Sequence, residues 1–332
     1  MRFSMLVDRN ARATAPRSAA AGLPTAAIAV LVLVLALTGC SVRLDTPPPA
    51  VPTPDATEQA RAALAEQTAT LVSLARAARG EEATGQSAPQ ADGPDVAAEL
   101  EALATASEQQ LAALGGLWTP PPRPDDPSPT PAPQPTATPQ DVLTALEEAA
   151  AQVQESVGDP VWDGDTATLL ASIAVYRDGA LARLSHALGT DAPAPAESAT
   201  ELPTELTAAS APLCRTLDGL GYAYEVQAAR SDGEQRSQAV ARAAQNRDLA
   251  EQVAVLGGYD GTAEDPRRAS YAVGDDLSET IVTWQSELLP GWLALVSPAA
   301  PGDRTLLLTQ ARAAAALAPL PADVAFPGLQ TD

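Results

Sequence analysis

The chain has 332 residues, enough for one large or two ordinary domains, and its 42 acidic residues against 20 basic ones give a formal net charge of −22 at pH 7. Nucleic acids and anionic lipid headgroups repel a polyanion of this size, so the composition argues against nucleic-acid binding. All the basic residues are arginine, which is typical of a GC-rich coding sequence.

Residues 1–39 have the three parts of a secretory signal peptide. Four arginines come first, an apolar run follows over 26–37, and small residues lead up to Cys40. The run is too short for a membrane span, which needs about 20 apolar residues. Loss of this segment would remove four Arg and one Asp, leaving 16 Arg against 41 acidic residues.

The end of this segment, Leu37-Thr38-Gly39-Cys40, resembles the lipobox of bacterial lipoproteins. The resemblance implies that the Cys40 thiol receives a diacylglyceryl group, that Thr38 and Gly39 let a peptidase approach the bond before it, and that Leu37 fills an apolar subsite. It also implies acyl chains such as palmitate and a position on the extracytoplasmic face of the cell membrane, where two chains give stable anchoring. The alternative is a plain signal anchor with a coincidental cysteine.

A proline-rich tether follows over 40–54. Chain of this composition is extended and semi-rigid, at about 3.1 Å per residue, so the tether could hold a domain up to ~45 Å above the lipid. Its prolines are Pro47, Pro48, Pro49, Pro52 and Pro54.

Apolar residues recur at steps of three and four along eight later segments, which predicts amphipathic helices. No segment alternates as a strand would, so the predicted fold class is all-α. Pro212 allows a kink or restart in the fifth helix, and Pro290 bends the seventh. The predicted helices cover 56–79, 95–118, 141–157, 166–188, 204–230, 234–256, 275–296 and 303–317.

A proline-containing break at 189–203 divides the predicted helices into two bundles of four, 55–190 and 202–320, with a tail at 321–332. The first bundle contains a proline-rich crossover at 119–139, and the first two helices of each bundle should pair antiparallel.

Leu-Gly-Gly ends both the second and the sixth predicted helix, which favours a tandem duplication, although glycine is also a common helix stop. The structural alternative is one intermixed bundle. The predicted core includes Leu103, Leu114, Ile173, Leu184, Leu217, Tyr224, Leu256, Ile281, Trp284 and Leu288.

Residues 205–320 resemble a ferritin-like domain family found in uncharacterised actinobacterial proteins. The similarity lies in Gly221-Tyr222-Ala223-Tyr224-Glu225-Val226, in Asn246-Arg247-Asp248-Leu249 and in Tyr271. The resemblance implies a four-helix bundle with one longer crossover.

The chain departs from the ferritin-like metal pattern, which takes Glu from two helices and Glu-x-x-His from the other two. It has no Glu-x-x-His, and its single histidine, His186, is expected to complement a helix C-terminus or to lie on the surface. Four acids, Glu225, Glu251, Glu279 and Glu287, could face a bundle interior, but solvation is the preferred interpretation. We therefore expect no metal site and no cofactor.

Other catalytic patterns are missing from the sequence, which has no Cys-x-x-Cys, no glycine-rich phosphate loop and no Gly-x-Ser-x-Gly. No catalytic residue is predicted. Cys214 lies in an apolar helical stretch and is interpreted as a buried inert thiol rather than a reactive one. The candidate ligand-binding residues are the scarce aromatics Tyr222, Tyr224, Trp284 and Trp292, which helical spacing could equally assign to the core.

Two functions compete at this stage. The preferred hypothesis is a lipid-anchored cell-envelope protein, attached through Cys40, whose helical domain binds a small ligand or scaffolds another envelope protein without catalysing a reaction. The alternative is a diverged ferritin-like metal-handling or oxidoreductase protein, which rests on fold analogy alone.

Overall fold

The computed structural model describes residues 53–83, 95–118, 136–194, 196–197, 201–318 and 320–329. These residues form eight α-helices and a short 3₁₀ turn, Ala208–Ser210, and contain no β-strand, so the predicted all-α class is confirmed. The helices are α1 Ala56–Ala83, α2 Val96–Ala113, α3 Pro139–Ser156, α4 Gly164–Leu188, α5 Ala211–Ala229, α6 Gly233–Leu256, α7 Leu277–Leu293 and α8 Pro301–Ala315.

Each of the eight helices matches a predicted one, and the largest shift of an end is at α5. That helix begins at Ala211 after the 3₁₀ turn, with Pro212 in its first turn, so the chain restarts there instead of running on from residue 204. Proline is tolerated at this place because the first N–H groups of a helix have no partner within it. Pro290 lies inside α7, as predicted.

Local side-chain chemistry sets several helix starts. Thr138 and Asp141 form a reciprocal capping box at α3. At α4, the Asp163 carboxylate accepts a hydrogen bond of 2.7 Å from the Thr166 amide. These contacts satisfy amide groups that the first turn leaves free. Gly189 ends α4 in the left-handed conformation at φ 66°.

The first four helices pack as a ring in the order α1, α2, α4, α3. Pairs of contacts show that neighbours in the ring are antiparallel. Arg61 at the start of α1 donates to the carbonyl of Leu114 at the end of α2, at 2.7 Å. Late in α4, the Arg183 guanidinium pairs with Glu99 early in α2, at 3.0 Å. The chain therefore runs up, down, down and up through the ring.

The second four helices follow the same order of directions. α5 is antiparallel to α6, since the Cys214 thiol donates to the carbonyl of Ala250, and antiparallel to α7, where Gly291 approaches Leu213. The predicted antiparallel pairing of the first two helices is thus seen in both halves. However, α8 packs on α7 and α4, and α6 packs chiefly on α5. The second set therefore does not close into a ring as the first set does.

The two halves share a hydrophobic core. The larger of two buried clusters joins Ile173 of α4 to Tyr224 of α5 and Leu288 of α7, whereas the smaller cluster, which includes Leu103, fills the far end of the first ring. Pro54–Asp332 forms one compact unit. Of the predicted core residues, Leu256 and Trp284 are only partly buried, and the other eight are buried: Leu103, Leu114, Ile173, Leu184, Leu217, Tyr224, Ile281 and Leu288.

Residues 320–329, here called the C-terminal strap, cross both halves. The sequence predicted a tail from 321, but the carbonyl of Ala325 accepts a hydrogen bond of 3.2 Å from buried Gln110, and that of Pro327 accepts one of 2.9 Å from buried Ser172. This segment has no helical period, and its backbone carbonyls satisfy buried polar groups on α2 and α4.

A buried cation lies within the first ring. Arg177 of α4 is 1% exposed, and it donates to the Thr68 hydroxyl at 2.8 Å, to the Ala149 carbonyl at 2.9 Å and to the Gln67 amide oxygen at 3.5 Å. All three acceptors are neutral. Burial lowers the pKa of the Arg177 guanidinium to about 10. From its ordinary value of 12.5, that shift corresponds to about 3 kcal/mol against the charged folded state.

Several predicted segments lie outside the described residues. They are the signal peptide 1–39 with Leu37, Thr38 and Gly39, the anchor Cys40, nearly all of the tether 40–54 and most of the crossover 119–139. Among the described helices, none combines the length and the apolar character that crossing a membrane requires.

Replacing Arg177 with Met should raise the free energy of unfolding at pH 7 by about 1–3 kcal/mol, because it removes a buried charge that has no anionic partner. The lowered pKa means that the cost of the charge persists at every pH below about 10 and fades as the pH rises through that value. Urea denaturation monitored by circular dichroism measures the change.

The matched control is Arg304→Met. Arg304 is also buried, but its guanidinium donates to the carbonyls of Trp162 at 3.0 Å and Ala299 at 3.3 Å, which lie outside the helices and would lose this donor. The Ala149 carbonyl that Arg177 would leave behind is instead inside α3. This variant should lose stability. Equal losses in the Arg177 and Arg304 variants would contradict the assignment of a net cost to the Arg177 charge.

Candidate binding cavity between α4 and α8

A cavity of about 380 Å³ lies between α4, the end of α8 and the segment that follows α4. This volume falls in the range of small-molecule pockets, which are mostly apolar with a few convergent polar groups. Its polar lining residues are Asp178, Arg183 and Arg312. Its apolar lining residues are Val175, Gly179, Leu181, Ala182, Pro193, Ala194, Ala196, Ala315, Ala316, Ala318 and Leu320.

Small side chains create this space. A Cβ atom added at Gly179 would lie 3.2 Å from Nη1 of Arg183 and 3.8 Å from Cδ1 of Leu320, so a side chain there would begin to fill the cavity. Alanines on the facing turns of α4 and α8 leave the walls apart where leucines would close them. A helix pair this poor in bulky residues either packs closely or encloses a void.

Asp178 lies at the polar wall of the cavity. Its carboxylate accepts a hydrogen bond of 2.8 Å from the Gln154 amide and forms an ion pair with Arg312. Burial raises the pKa of Asp178, and the hydrogen bond and charge of Arg312 oppose that rise. Because the carboxylate is engaged by both neighbours, it serves as a fixed part of the wall.

Arg183 supplies a second cation at the same wall. Its Nε donates to the Glu99 carboxylate at 3.0 Å, and its guanidinium carbon lies 5.8 Å from the centre of the Tyr176 ring. These contacts hold the planar group in one orientation. The Nη2 atom is buried and has no hydrogen-bond partner. A buried donor without an acceptor is costly and is rare in folded proteins. Nη1 of the same group lies beside Gly179, which lines the cavity, so this donor is the one placed to bind a ligand oxygen.

The four aromatic candidates predicted from the sequence do not share one pocket. Tyr224 and Trp292 are buried in the core, where the Tyr224 hydroxyl accepts a hydrogen bond of 2.9 Å from Gln285. Tyr222 and Trp284 flank Tyr271, with ring centres 6.0 Å and 5.6 Å from it.

Asp218 explains why Tyr271 lies there. This residue of α5 is 4% exposed, pairs with Arg247 of α6, and accepts hydrogen bonds from the Tyr271 hydroxyl at 2.7 Å and the Arg268 amide at 3.1 Å. The contacts fasten the α6–α7 connection to α5. The segments that carry the resemblance noted in the sequence therefore meet in the structure around an acid that sequence reasoning missed, although an aspartate within an apolar helical stretch was a usable signal.

The close approach of α6 and α7 to α5 requires glycine at two positions of α5. An added Cβ at Gly219 would lie 3.0 Å from the Trp284 ring, and one at Gly221 would lie 2.8 Å from the aliphatic part of Arg247. The two glycines let α7 and α6 pack tightly on α5.

The acids considered for a metal site are dispersed. Glu225, Glu251, Glu279 and Glu287 are exposed, and Glu225 pairs with Arg247 while Glu251 pairs with Arg267. Within the described parts of the chain, no group of three or more His, Cys, Asp or Glu side chains is placed to hold a metal ion. His186 is exposed in the last turn of α4, in agreement with the prediction.

No family model, curated protein or solved structure matches this chain.

Cys214 should resist thiol reagents in the folded protein. It is fully buried, and burial raises its pKa from 9.0 to about 12, so its reactive thiolate is depleted about a thousandfold near pH 8. We expect alkylation by iodoacetamide, followed by mass spectrometry in a Cys40→Ala background, to be at least that much slower in buffer than in urea. Labelling within a few-fold of the unfolded rate would show that this part of α5 opens readily.

Proposed function

We propose that the chain is a lipid-anchored protein of the cell envelope whose helical unit binds an apolar small molecule in the α4–α8 cavity. The cavity carries the binding part of the proposal, because it combines an apolar lining with a few ordered polar groups. The lipobox-like Leu37-Thr38-Gly39-Cys40 supports the anchor.

The chemistry of the lining favours binding over catalysis. Its one carboxylate, Asp178, is engaged by Gln154 and Arg312, and neither a cysteine, a serine nor a histidine is among the lining residues. Covalent catalysis needs a nucleophile with an adjacent base, and general acid–base catalysis needs a group free to exchange a proton with the substrate. The cavity offers a shaped apolar space and fixed charges instead.

The repeated order of helix directions supports a finer proposal, that the chain contains two ferritin-like units in tandem. Both sets run up, down, down and up, and in both a long connection joins the second helix to the third, as in bundles with one crossover. In this proposal α8 has turned from α6 towards α4, which joins the units into one body.

Metal handling, the alternative function, finds less support. The centre of the first ring holds the buried guanidinium of Arg177, whose neutral surroundings leave its positive charge uncompensated. A cation bound nearby would be repelled strongly, because charges interact over several ångströms in a poorly polarisable interior.

The anchor is tested by Cys40→Ala. The substitution removes the only thiol that the lipobox-like sequence places for acylation, so the protein should lose its lipid and accumulate as uncleaved precursor or be released. Detergent phase separation and mass spectrometry of the N-terminus measure both outcomes. A Cys40→Ala protein that is still cleaved and acylated would contradict the anchor.

Binding in the cavity is tested with decanol, an uncharged probe with an apolar chain. Isothermal titration should show one site per chain, and Ala182→Trp should reduce the affinity about tenfold or more, because an indole at the cavity wall occupies the space that the chain would fill. Ala244→Trp is the control, since Ala244 is an exposed helical alanine on α6, away from the cavity. The same affinity in both variants would contradict binding at this place.

A further inference from the structure

Two guanidinium groups face the α4–α8 cavity of a strongly acidic protein. Arg183 approaches it from α4 and Arg312 from α8, while the chain as a whole carries 42 acidic residues against 20 basic ones. Each arginine has one carboxylate partner, Glu99 for Arg183 and Asp178 for Arg312. The ion pairs fix the two cations at one wall of an otherwise apolar space.

Each ion pair uses only part of its guanidinium. Arg183 bonds to Glu99 through Nε, and Arg312 bonds to Asp178 through Nε. A guanidinium has five N–H donors and no acceptor, so donors remain at both groups. At Arg183 the Nη1 donor lies beside Gly179 at the cavity, whereas Nη2 is buried away from it.

The unused N–H donors beside an apolar wall indicate which class of ligand suits the cavity. A ligand with an acceptor oxygen gains a hydrogen bond from Nη1 of Arg183, whereas an alkylammonium headgroup brings no acceptor for it. An anionic oxygen satisfies the donor with a charge-assisted hydrogen bond, which is about twice as strong as a neutral one. The charge of Asp178 does not oppose this, since Arg312 and Gln154 compensate it.

We propose that the cavity binds an anionic amphiphile, with its apolar chain between α4 and α8 and its carboxylate or phosphate oxygens accepting hydrogen bonds from Arg183. The inference rests on the proposed binding function and adds the charge of the headgroup to it. Arg183 is the residue that determines headgroup specificity, and Gly179, Ala182 and Ala315 provide room for the chain.

The experiment compares probes that share one chain and differ in headgroup: decanoate, decyl phosphate, decanol and decyltrimethylammonium. Isothermal titration of the full chain near neutral pH and low ionic strength should give affinities for the two anions at least about tenfold above that for decanol, with the cation weakest, since hydrogen bonds to charged groups contribute roughly that factor or more. Comparing decanoate with decyl phosphate tells which anionic source the site prefers.

Three variants separate headgroup recognition from folding. Arg183→Gln should reduce the affinity for decanoate much more than that for decanol, so that the two probes bind about equally. Glu99→Gln removes the carboxylate that competes for Arg183, so it should tighten decanoate binding. The double variant Glu99→Gln with Arg183→Gln leaves neither charge unpaired, keeps the fold, and should bind decanoate as weakly as decanol.

The outcomes distinguish the inference from the function on which it rests. If decanol and decanoate bind equally and both are blocked by Ala182→Trp, the cavity binds apolar molecules and the anionic headgroup is wrong. If decanoate is preferred but Arg183→Gln has no effect on it, the assigned role of Arg183 is wrong. If none of the four probes binds, both the proposed function and this inference fail.

Discussion

The structure depends on the burial of α4. This helix, Gly164–Leu188, contacts α2 and α3 in the first ring, α7 and α8 in the second half, and the C-terminal strap, so fourteen of its residues are buried. A buried polar group needs a partner, and several of those on α4 find one on a neighbouring element. Ser172 and Tyr176 donate to carbonyls of the strap, and Arg177 donates to α1 and α3. The turns around Asp178 and Ala182 leave part of α4 open, and the cavity lies there.

The helices could be predicted from the sequence because eight segments repeat apolar residues at helical steps, and proline and glycine mark their ends. The repeat does not say which helices pack together. The contact between α8 and the start of α4 depends on a backbone carbonyl, that of Trp162, which accepts from Arg304. Any residue has such a carbonyl, so the sequence contains no signal for it. The strap was missed for the same reason, since it meets Gln110 and Ser172 through carbonyls.

The composition of the chain gave no sign of the cavity. In a chain so rich in alanine, Ala182 and Ala315 look like ordinary helix formers, whereas the rare aromatic residues attract attention as binding candidates. The structure places Trp292 in the core, and Trp284 contacts the ring of Tyr271 edge-on and lines a separate pocket at the start of α7. Sequence patterns reveal what side chains are present, but a cavity is defined by side chains that are small on two facing elements at once, which only the fold brings together.

The strap also bears on the order in which the protein matures. Any chain is synthesised from its N-terminus, so α1 to α4 are complete long before residues 320–329 emerge. Until then the amide of Gln110 and the hydroxyl of Ser172 lack the carbonyls that accept from them, and Gln110 waits for a partner 215 residues later in the chain. Closing so long a loop is entropically costly and slow compared with helix pairing. The hydrogen bonds of Gln110 and Ser172 to the strap can therefore form only after the last part of the polypeptide is available, and a chain that ended before the strap would lack both.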